Sequence, residues 1–461
     1  MESEVITESH GRQRISQTIS RLPRIIGIMT AIKSVIHALG LISLFGANWP
    51  QWRGPEASGV SAETTLPMEW SETKNIAWKT ELPGRGNSQP VIWGNRIFLT
   101  AEVDSGDAPA THKAPIHHIK GDVFLHPDSV GVNKLHRFSV IALDRDSGKI
   151  VWQKTAYEGT VFDYRHKKGS YAAPTPVVDG KAVYAYFGNE GLYAFDFSGK
   201  HLWNYQTEKV KTIGMGPGTS PVLEGDLLIL QSDDGEAHGS HIVAVDKRTG
   251  KRVWRTERKD LAVSWSTPVV AQAKGRKELI TTSIEAVVAY DPATGKELWR
   301  GPGVKGNAIA TPVIGHGMAF LAAGYPVKYT YAVKLGGDGE AKPVWSYDKG
   351  TAYVPSPILV GDYYYIMSDK GLLTCFDAKT GEVKYEGKRP SKPATFSGSP
   401  VAAGGKILIT SEDGDTYIIK AGPEHEILAV NSVGEPVYAS VAIADGRIYL
   451  RGQKHLFAIR K

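Results

Sequence analysis

The amino-acid sequence predicts an all-β protein, built as an eight-bladed β-propeller of four-stranded blades. Short strand patterns bounded by Gly, Pro and Asp turns fill the chain after about its first fifty residues, where long helical periodicity is missing. A unit of roughly 40–47 residues, the length of one propeller blade, recurs along the chain. The last copy lacks its fourth strand, and an unmatched strand stands near the start of the sequence.

The clearest copy of this unit is the stretch from Thr175 to Trp203. Its turns contain Gly next to Asp, Asn or Ser, residues that tolerate the positive φ of tight turns. One such unit cannot bury both of its faces alone, so it needs neighbouring copies of itself. The strands predicted in it are Pro176–Val178, Val183–Phe187, Leu192–Asp196 and His201–Trp203.

Eight copies follow one another, and their first strands begin at Ser88, Thr175, Ser220, Thr267, Thr311, Ser356, Ser399 and Ala439. Most copies reach an Asp followed by a Thr-Gly or Ser-Gly turn and end on an aromatic residue, usually Trp. We expect the Asp to accept backbone N–H bonds in that turn. We expect the Trp to dock between blades, since it recurs in nearly every one of them and buries a large area.

The two ends of the chain complete each other in this scheme. The eighth copy stops at Lys461 without a fourth strand, and Asn75–Thr80 near the start is a strand without a blade. We predict that this strand, which carries Trp78, completes the last blade and closes the ring. Closure removes strand edges that would otherwise pair with other chains.

Composition excludes several classes of function. Lys plus Arg number 54 against 48 Asp plus Glu, and the basic residues sit mostly in turns, so no nucleic-acid-binding stripe is expected. Cys375 is the single cysteine, which excludes an internal disulfide and a Cys-based zinc site. The sequence contains no phosphate-binding Gly loop, no Ser–His–Asp order and no zinc-protease helix.

The N-terminus, residues 1–47, is predicted to be a disordered stretch followed by a signal peptide or anchor, and residues 48–461 a single propeller. Lys33 and the apolar run Val35–Phe45 resemble the charged and apolar regions of a secretory signal. The sequence therefore favours export to the periplasm or cell envelope of a bacterium, with membrane contact only through this segment.

Three alternatives for the N-terminus stay open. Met29 is a candidate true start, because a signal beginning there has ordinary length. A retained membrane anchor over Ile25–Ala47 is less favoured, since its uninterrupted apolar part is short for a span. The third is a cytoplasmic protein with a stray apolar segment.

The repeat A-x-D-x-x-T-G-K-x-x-W resembles that of pyrroloquinoline-quinone (PQQ) dehydrogenases and of PQQ-like propellers such as the outer-membrane assembly factor BamB. Asn48–Pro55, NWPQWRGP, and the run Tyr353–Pro357 also resemble a PQQ-binding-like propeller family common in planctomycete-type bacteria. The resemblance covers about residues 75–461. It implies the fold and leaves the function open.

Two classes of function follow from this resemblance. One is a monomeric binding or assembly scaffold for an envelope protein segment or a polysaccharide. The other is a PQQ-dependent alcohol or sugar dehydrogenase, whose relatives hold a calcium-bound quinone with a catalytic Asp, Glu and Asn ligands and often a vicinal Cys pair. Cys375 stands alone, and no motif here carries the Glu–Asn–Asp set. The sequence therefore favours the scaffold without a cofactor, with PQQ and calcium as the alternative.

An insertion in blade one, residues 101–137, interrupts the repeat and is rich in histidine. A divalent metal, and with it a hydrolase site, is conceivable for such a set of residues. Their spacing fits no defined motif, so a polar loop packed over one face of the propeller is favoured. The weak candidate ligands are His112, His117, His118 and His126.

A second departure is the segment 161–174, which leads into the innermost strand of blade two and carries a cationic run. The matching positions of other blades are aromatic or hydroxylic, a lining that suits a peptide, a sugar or a flat cofactor. Packing at a tight axis is the alternative. No catalytic residue can be assigned, and the predicted lining of the channel mouth is Arg165, His166, Lys167, Ser170, Tyr171, Trp265, Ser266, Tyr353, Phe396 and Tyr438.

Overall fold

The structure is a computed structural model that describes residues 48–119, 121–236, 238–349 and 351–461. The predicted signal segment and the alternative start at Met29 lie outside the described residues.

Across the described residues, we find no helix with the length and apolar character needed to span a membrane.

The first third of the described chain holds the ring-closing strand, blade one with its insertion, and blade two. A single short 3-10 helix in the described residues covers Gly188–Glu190. The strands in chain order are β1 (Ile76–Glu81), β2 (Val91–Trp93), β3 (Arg96–Asp107), β4 (His117–Ile119), β5 (Asp122–Phe124), β6 (Ser129–Val130), β7 (Lys134–Asp144), β8 (Ile150–Thr160), β9 (Arg165–His166), β10 (Val177–Val178), β11 (Ala182–Tyr186), β12 (Leu192–Asp196) and β13 (His201–Tyr205).

Blades three to five follow with β14 (Val222–Glu224), β15 (Leu227–Ser232), β16 (His241–Asp246), β17 (Arg252–Glu257), β18 (Val269–Ala273), β19 (Arg276–Thr282), β20 (Ala286–Tyr290), β21 (Glu297–Pro302), β22 (Val313–Gly315), β23 (Met318–Ala323), β24 (Tyr329–Lys334), β25 (Gly339–Glu340) and β26 (Pro343–Tyr347). Blades six to eight hold β27 (Ile358–Val360), β28 (Tyr363–Met367), β29 (Leu373–Asp377), β30 (Val383–Lys388), β31 (Val401–Ala403), β32 (Lys406–Thr410), β33 (Asp415–Lys420), β34 (Ile427–Ser432), β35 (Ala442–Ala444), β36 (Arg447–Arg451) and β37 (His455–Ile459).

These strands form eight antiparallel four-stranded blades, as the sequence predicts. Blade four carries a fifth, parallel strand, β25, on its outer edge. We call the face where the innermost strands begin the top face, and the face with the Asp-containing turns the bottom face. The buried apolar side chains form clusters that each join neighbouring blades, so the core lies between blades rather than within one.

The predicted ring closure is confirmed. β1 pairs antiparallel with β37, and Trp78 lies opposite Ala458 in the register. The last blade has the strand order β1-β37-β36-β35, so one outer strand from the start of the chain completes it.

The predicted docking of the repeated tryptophans between blades is also confirmed. The indole N–H of Trp203 in blade two donates to the carbonyl of Lys247 in blade three at 3.0 Å. Lys247 directly follows Asp246, the Asp of the repeat, whose Oδ1 accepts the backbone N–H of Thr249 at 3.0 Å. Gly250 completes the turn against the indole, because a Cβ built on it would lie 2.5 Å from the Trp203 ring. The Asp, Gly and Trp of the repeat therefore form one joint between successive blades.

Blade five lacks the Asp-containing turn, and the joint changes there. Trp299 of blade four donates instead to Oε2 of Glu278 in its own blade at 2.9 Å. The same carboxylate accepts the backbone N–H of Gly336 in blade five at 3.1 Å. A buried carboxylate thus replaces the missing turn carbonyl and still connects the two blades.

A ring of hydroxyl groups surrounds the axis. In six of the eight blades the residue before the innermost strand donates its backbone N–H to the side-chain hydroxyl of the equivalent residue in the next blade, at 2.8–3.0 Å. This explains why Ser or Thr precedes the first strand in most copies. The successive pairs are Gln89 to Thr175, Thr175 to Ser220, Ser220 to Thr267, Thr311 to Ser356, Ser356 to Ser399 and Ser399 to Ser440.

The N-terminal segment 48–57 runs across the innermost strands and fills the axis. The carbonyl of Pro50 accepts the N–H of Val178 in blade two at 2.9 Å. The Trp52 indole donates to Thr311 in blade five at 2.9 Å. The fully buried Arg53 donates to the carbonyl of Pro357 in blade six at 2.7 Å. The chain itself therefore occupies part of the axis, beside a cavity of about 290 Å³ that this segment lines together with the innermost strands of blades three and four.

Candidate functional site

A cavity of about 350 Å³ opens on the top face where blade eight meets blade one. Its lining combines five cationic side chains with a tyrosine, and within the described residues it includes no carboxylate. Three of these cations pair with carboxylates just outside the lining, which leaves Arg451 and Lys454 as the charges that attract an anion into this concave site. The lining residues are Arg85, Gly86, Asn87, Lys167, Lys168, Gly169, Tyr438, Ala439, Arg451, Gly452, Gln453 and Lys454.

Ring closure brings these residues together. Arg451 is the last residue of β36 in blade eight, whereas Arg85 and Gly86 precede β2 of blade one. The Arg451 side chain is 1% exposed, and its Nη1 donates to Oγ of Ser88 at 2.6 Å. Burial away from water lowers the pKa of Arg451 to about 9, an effect that the carboxylate of Glu102 opposes. The cavity thus has a desolvated guanidinium at its base.

Glu102 is the buried anion of this region. Its Oε1 accepts from Nε of Arg85 at 2.7 Å and lies 3.1 Å from Nε of Arg165. Its Oε2 accepts the hydroxyl of Ser170 at 2.9 Å and the backbone N–H of Tyr171. Two predicted mouth residues, Arg165 and Ser170, therefore act inside the framework, because Glu102 in the long strand β3 accepts the Ser170 hydroxyl and forms an ion pair with Arg165.

The rim of the cavity is formed by lysines from the segment before blade two. Nζ of Lys167 lies 2.9 Å from Asp128, and Nζ of Lys168 lies 2.8 Å from Glu412 of blade seven. Neighbouring His166 lies 3.4 Å from Asp128, and burial lowers its pKa, although that carboxylate opposes the shift. Lys167 and Lys168, both from the cationic run of segment 161–174, line the cavity.

The other predicted mouth residues are distributed over several environments. Tyr438 lines the cavity. Ser266 and Phe396 are buried, and Ser266 donates to the carbonyl of Ala310 at 2.9 Å. Tyr353 is half-buried against Tyr325, with 5.7 Å between ring centroids. The cavity between blades eight and one therefore includes Lys167 and Tyr438 of the ten predicted residues, so the prediction of a shared mouth stays a prediction.

A second, smaller cavity of about 30 Å³ lies between blades two and three. Trp265 and Tyr171 line it, together with the buried carboxylates of Asp163, Glu190 and Asp233. Burial raises the pKa of Glu190 to about 7, against the opposing charge of nearby Lys209. The volume suits about one water molecule rather than an organic ligand.

The histidine-rich insertion packs over the top face. Nε2 of His112 donates to the carbonyl of Val161 at 3.0 Å, and Nε2 of His117 lies 2.8 Å from Oδ1 of Asp163. His118 reaches Glu236 of blade three at 3.1 Å. These candidate metal ligands are therefore each engaged separately with the propeller.

Two other groups of side chains have the spacing of metal ligands, and their bonding disfavours a metal. In the first, Nδ1 of His126 accepts the backbone N–H of Asp128, and Nδ1 of His166 accepts that of Lys168. Each neutral ring then carries its proton on Nε2, which leaves no lone pair for an ion. In the second, Arg85 binds both Glu102 and Asp104, so a cation already neutralises the carboxylates.

The residues present do not fit calcium-bound PQQ. Cys375 is buried in β29 of blade six, its Sγ 3.6 Å from the carbonyl of Gly422, and in the described residues it has no vicinal partner. Calcium requires several convergent oxygen ligands. The top-face carboxylates are instead paired with cations, as in the 2.7 Å contact between Asp233 and Arg258. We therefore derive no oxidation step through a quinone.

Comparison with known proteins agrees with this architecture. A family model described as outer membrane protein assembly factor BamB matches residues 136–387. The chain belongs to this PQQ-repeat family. It is 25% identical over 296 residues to the outer membrane protein assembly factor BamB of Burkholderia pseudomallei, which covers 60% of this chain and 72% of that protein.

Quinone-dependent enzymes share the same repeat. A 1-butanol dehydrogenase (quinone) of Thauera butanivorans is 29% identical over 157 residues, which cover 31% of this chain and 24% of that protein. Among solved structures, BamB of Moraxella catarrhalis matches 78% of this chain and 98% of its own at 14% identity, with a TM-score of 0.52. The quinohemoprotein alcohol dehydrogenase of Comamonas testosteroni matches 89% of this chain and 80% of its own at 13% identity, with a TM-score of 0.59. At these identities the structural matches show the fold alone.

The sequence prediction of the mouth missed Arg85, Arg451 and Lys454. One local signal for the central residue exists, because Arg451 ends the otherwise apolar strand segment Ile448–Leu450. An arginine at a core position of a repeat strand indicates either a buried ion pair or a binding site.

Proposed function

We propose that this protein is an exported scaffold of the bacterial cell envelope, which holds a segment of another envelope protein against its top face. In this proposal residues 1–47 direct export and residues 48–461 do the binding. The cationic cavity between blades eight and one carries the proposal, since it places a buried guanidinium at the base of an open concave site on the top face. Membership of the BamB family supports a role in binding and assembly.

The proposal is tested by site-specific photo-cross-linking of the full chain in cells that produce and export it. A photoreactive residue replaces Tyr438 at the cavity, and in the matched control it replaces Gln272, which lines a separate cavity of about 290 Å³ beside the N-terminal segment. We expect a discrete adduct of one mass from position 438. Equal adducts from both positions, or none from position 438, would contradict the proposal.

A quinone-dependent oxidoreductase is the second candidate function, favoured by the 29% identity to the 1-butanol dehydrogenase (quinone) over 31% of this chain. The test is incubation of the purified full chain with PQQ and Ca²⁺, followed by desalting and a dye-linked assay with alcohols and sugars. Quinone absorbance that survives desalting, together with dye reduction, would replace the scaffold proposal. We expect neither, because the described residues offer no fitting donor set.

A further inference from the structure

The edge of the Arg451 guanidinium formed by Nε and Nη2 is buried and has no hydrogen-bond partner among the described residues. Only Nη1 is engaged, by Ser88. Leaving charged donors buried without partners is costly, so a chain tends to place a partner opposite them. The lining of the cavity contains no carboxylate in the described chain, so it does not supply a partner for these two donors.

Other arginines of this protein show what that edge binds. Nε of Arg255 donates to Oε1 of Glu208, and Nη2 donates to Oε2, both at 2.9 Å. The same two atoms of Arg258 hold both oxygens of Asp233 at 2.7 and 3.2 Å. Two parallel N–H donors at this spacing match the two oxygens of one carboxylate.

We propose that Arg451 is the anchor of a carboxylate-binding site, and that the carboxylate belongs to an acidic segment of the partner protein. The identity of the carrier as a protein segment rests on the proposed function. Binding of a carboxylate at Arg451 rests on the cavity and its donors.

The surroundings of Arg451 suit a segment with several acidic side chains. The side chains of Lys167 and Lys168 are 59% and 48% exposed, so their ion pairs with Asp128 and Glu412 are weak enough to exchange for carboxylates of a ligand. Lys454 adds a third cation to the lining. Arg451 thus binds one carboxylate bidentately, and the lysines attract its neighbours through longer-range attraction that salt screens.

Gly86 packs directly against this donor edge. A Cβ added to Gly86 would lie 2.3 Å from Nη2 of Arg451 and 2.7 Å from the backbone carbonyl of Thr100. An alanine at this position would therefore displace the edge without removing the guanidinium, which provides a test that keeps the charge.

The experiment is a fluorescence anisotropy titration of the full chain with a fluorescein-labelled peptide rich in Asp and Glu. Its control is the same peptide with Asn and Gln in their place. We expect the acidic peptide alone to bind, and Arg451→Lys to weaken it about 10- to 100-fold, because the bidentate bond is lost while a charge remains. Gly86→Ala is expected to weaken binding similarly, and Arg255→Lys, whose edge already holds Glu208, to leave it unchanged.

Melting temperatures of each variant establish that it is folded. Failure of the acidic peptide to bind the wild type, or equal binding by wild type, Arg451→Lys and Gly86→Ala, would overturn the site. Isothermal titration calorimetry of wild type and Arg451→Lys with citrate and with inorganic phosphate measures the binding of small anions directly. Arg451-dependent binding of citrate or phosphate without any binding of the acidic peptide would overturn the assignment to a protein segment. If an adduct forms at position 438 in cells but peptide binding in vitro does not depend on Arg451, the proposed function is retained and the carboxylate site is refuted.

Discussion

The joint between blades predicts that Gly250→Ala destabilises the protein more than its backbone conformation alone explains. Gly250 has φ of +69°, a conformation that costs an L-residue about 1–2 kcal/mol. In addition, the new methyl group would lie 2.5 Å from the Trp203 ring, and such overpacking costs about 1–3 kcal/mol. We therefore expect a loss of roughly 2–5 kcal/mol in the free energy of unfolding.

Gly225→Ala is the matched control. Gly225 has a similar φ of +58°, but nothing lies within 4 Å of the position of a Cβ. The Gly225→Ala variant should lose only about 1–2 kcal/mol in the free energy of unfolding, from the backbone conformation alone. The assay is urea unfolding of both variants, and of Gly250→Ala in a Trp203→Ala background, where the excess cost should disappear. Equal losses for Gly250→Ala and Gly225→Ala would refute the joint.

Three further perturbations follow from the structure. Glu190 has a folded pKa of about 7, above the ordinary 4.5, so the native state binds its proton more tightly and stability falls as pH rises through that window. Glu190→Gln should thus increase the free energy of unfolding by about 3 kcal/mol at pH 8 and leave it unchanged below pH 4. An increase that does not depend on pH in denaturant titrations would contradict this. Burial lowers the pKa of Arg451 to about 9, which corresponds to a cost of roughly 5 kcal/mol in the free energy of folding at neutral pH, and the hydrogen bond to Ser88 offsets about 2 kcal/mol of it. Arg451→Met should therefore have a melting temperature equal to or higher than that of the wild type. A clearly lower melting temperature would argue against a site that is left without its ligand. Removal of residues 48–80 takes away the outer strand of blade eight and exposes β37 as a strand edge. Light scattering should then detect aggregation, and calorimetry should show a large fall in melting temperature. An unchanged melting temperature would refute ring closure.

The architecture could be predicted from the sequence because each blade repeats the same local chemistry. The Asp, Gly and Trp of one joint lie within one repeat or its neighbour, as Trp203 and Gly250 show. Even ring closure left a local sign, since Trp78 stood on a strand that lacked a blade.

The candidate site could not be predicted in the same way. Arg451 and Gly86 meet only because the ring closes, and no local pattern links residues from opposite ends of a chain. Arg165 looked available in the sequence, but Glu102 from the long strand β3 lies 3.1 Å from it in the buried framework. Which cations are neutralised and which are left for a ligand depends on these distant contacts.

Hydrogen–deuterium exchange of the full chain, with and without the acidic peptide, reports directly on binding at the top face. We expect slower exchange in the segments that line the cavity, residues 85–87, 167–169 and 451–454, and no change at residues 268–272 beside the N-terminal segment. Protection confined to residues 268–272, or no protection at residues 451–454 when the peptide is bound, would contradict a binding site on the top face.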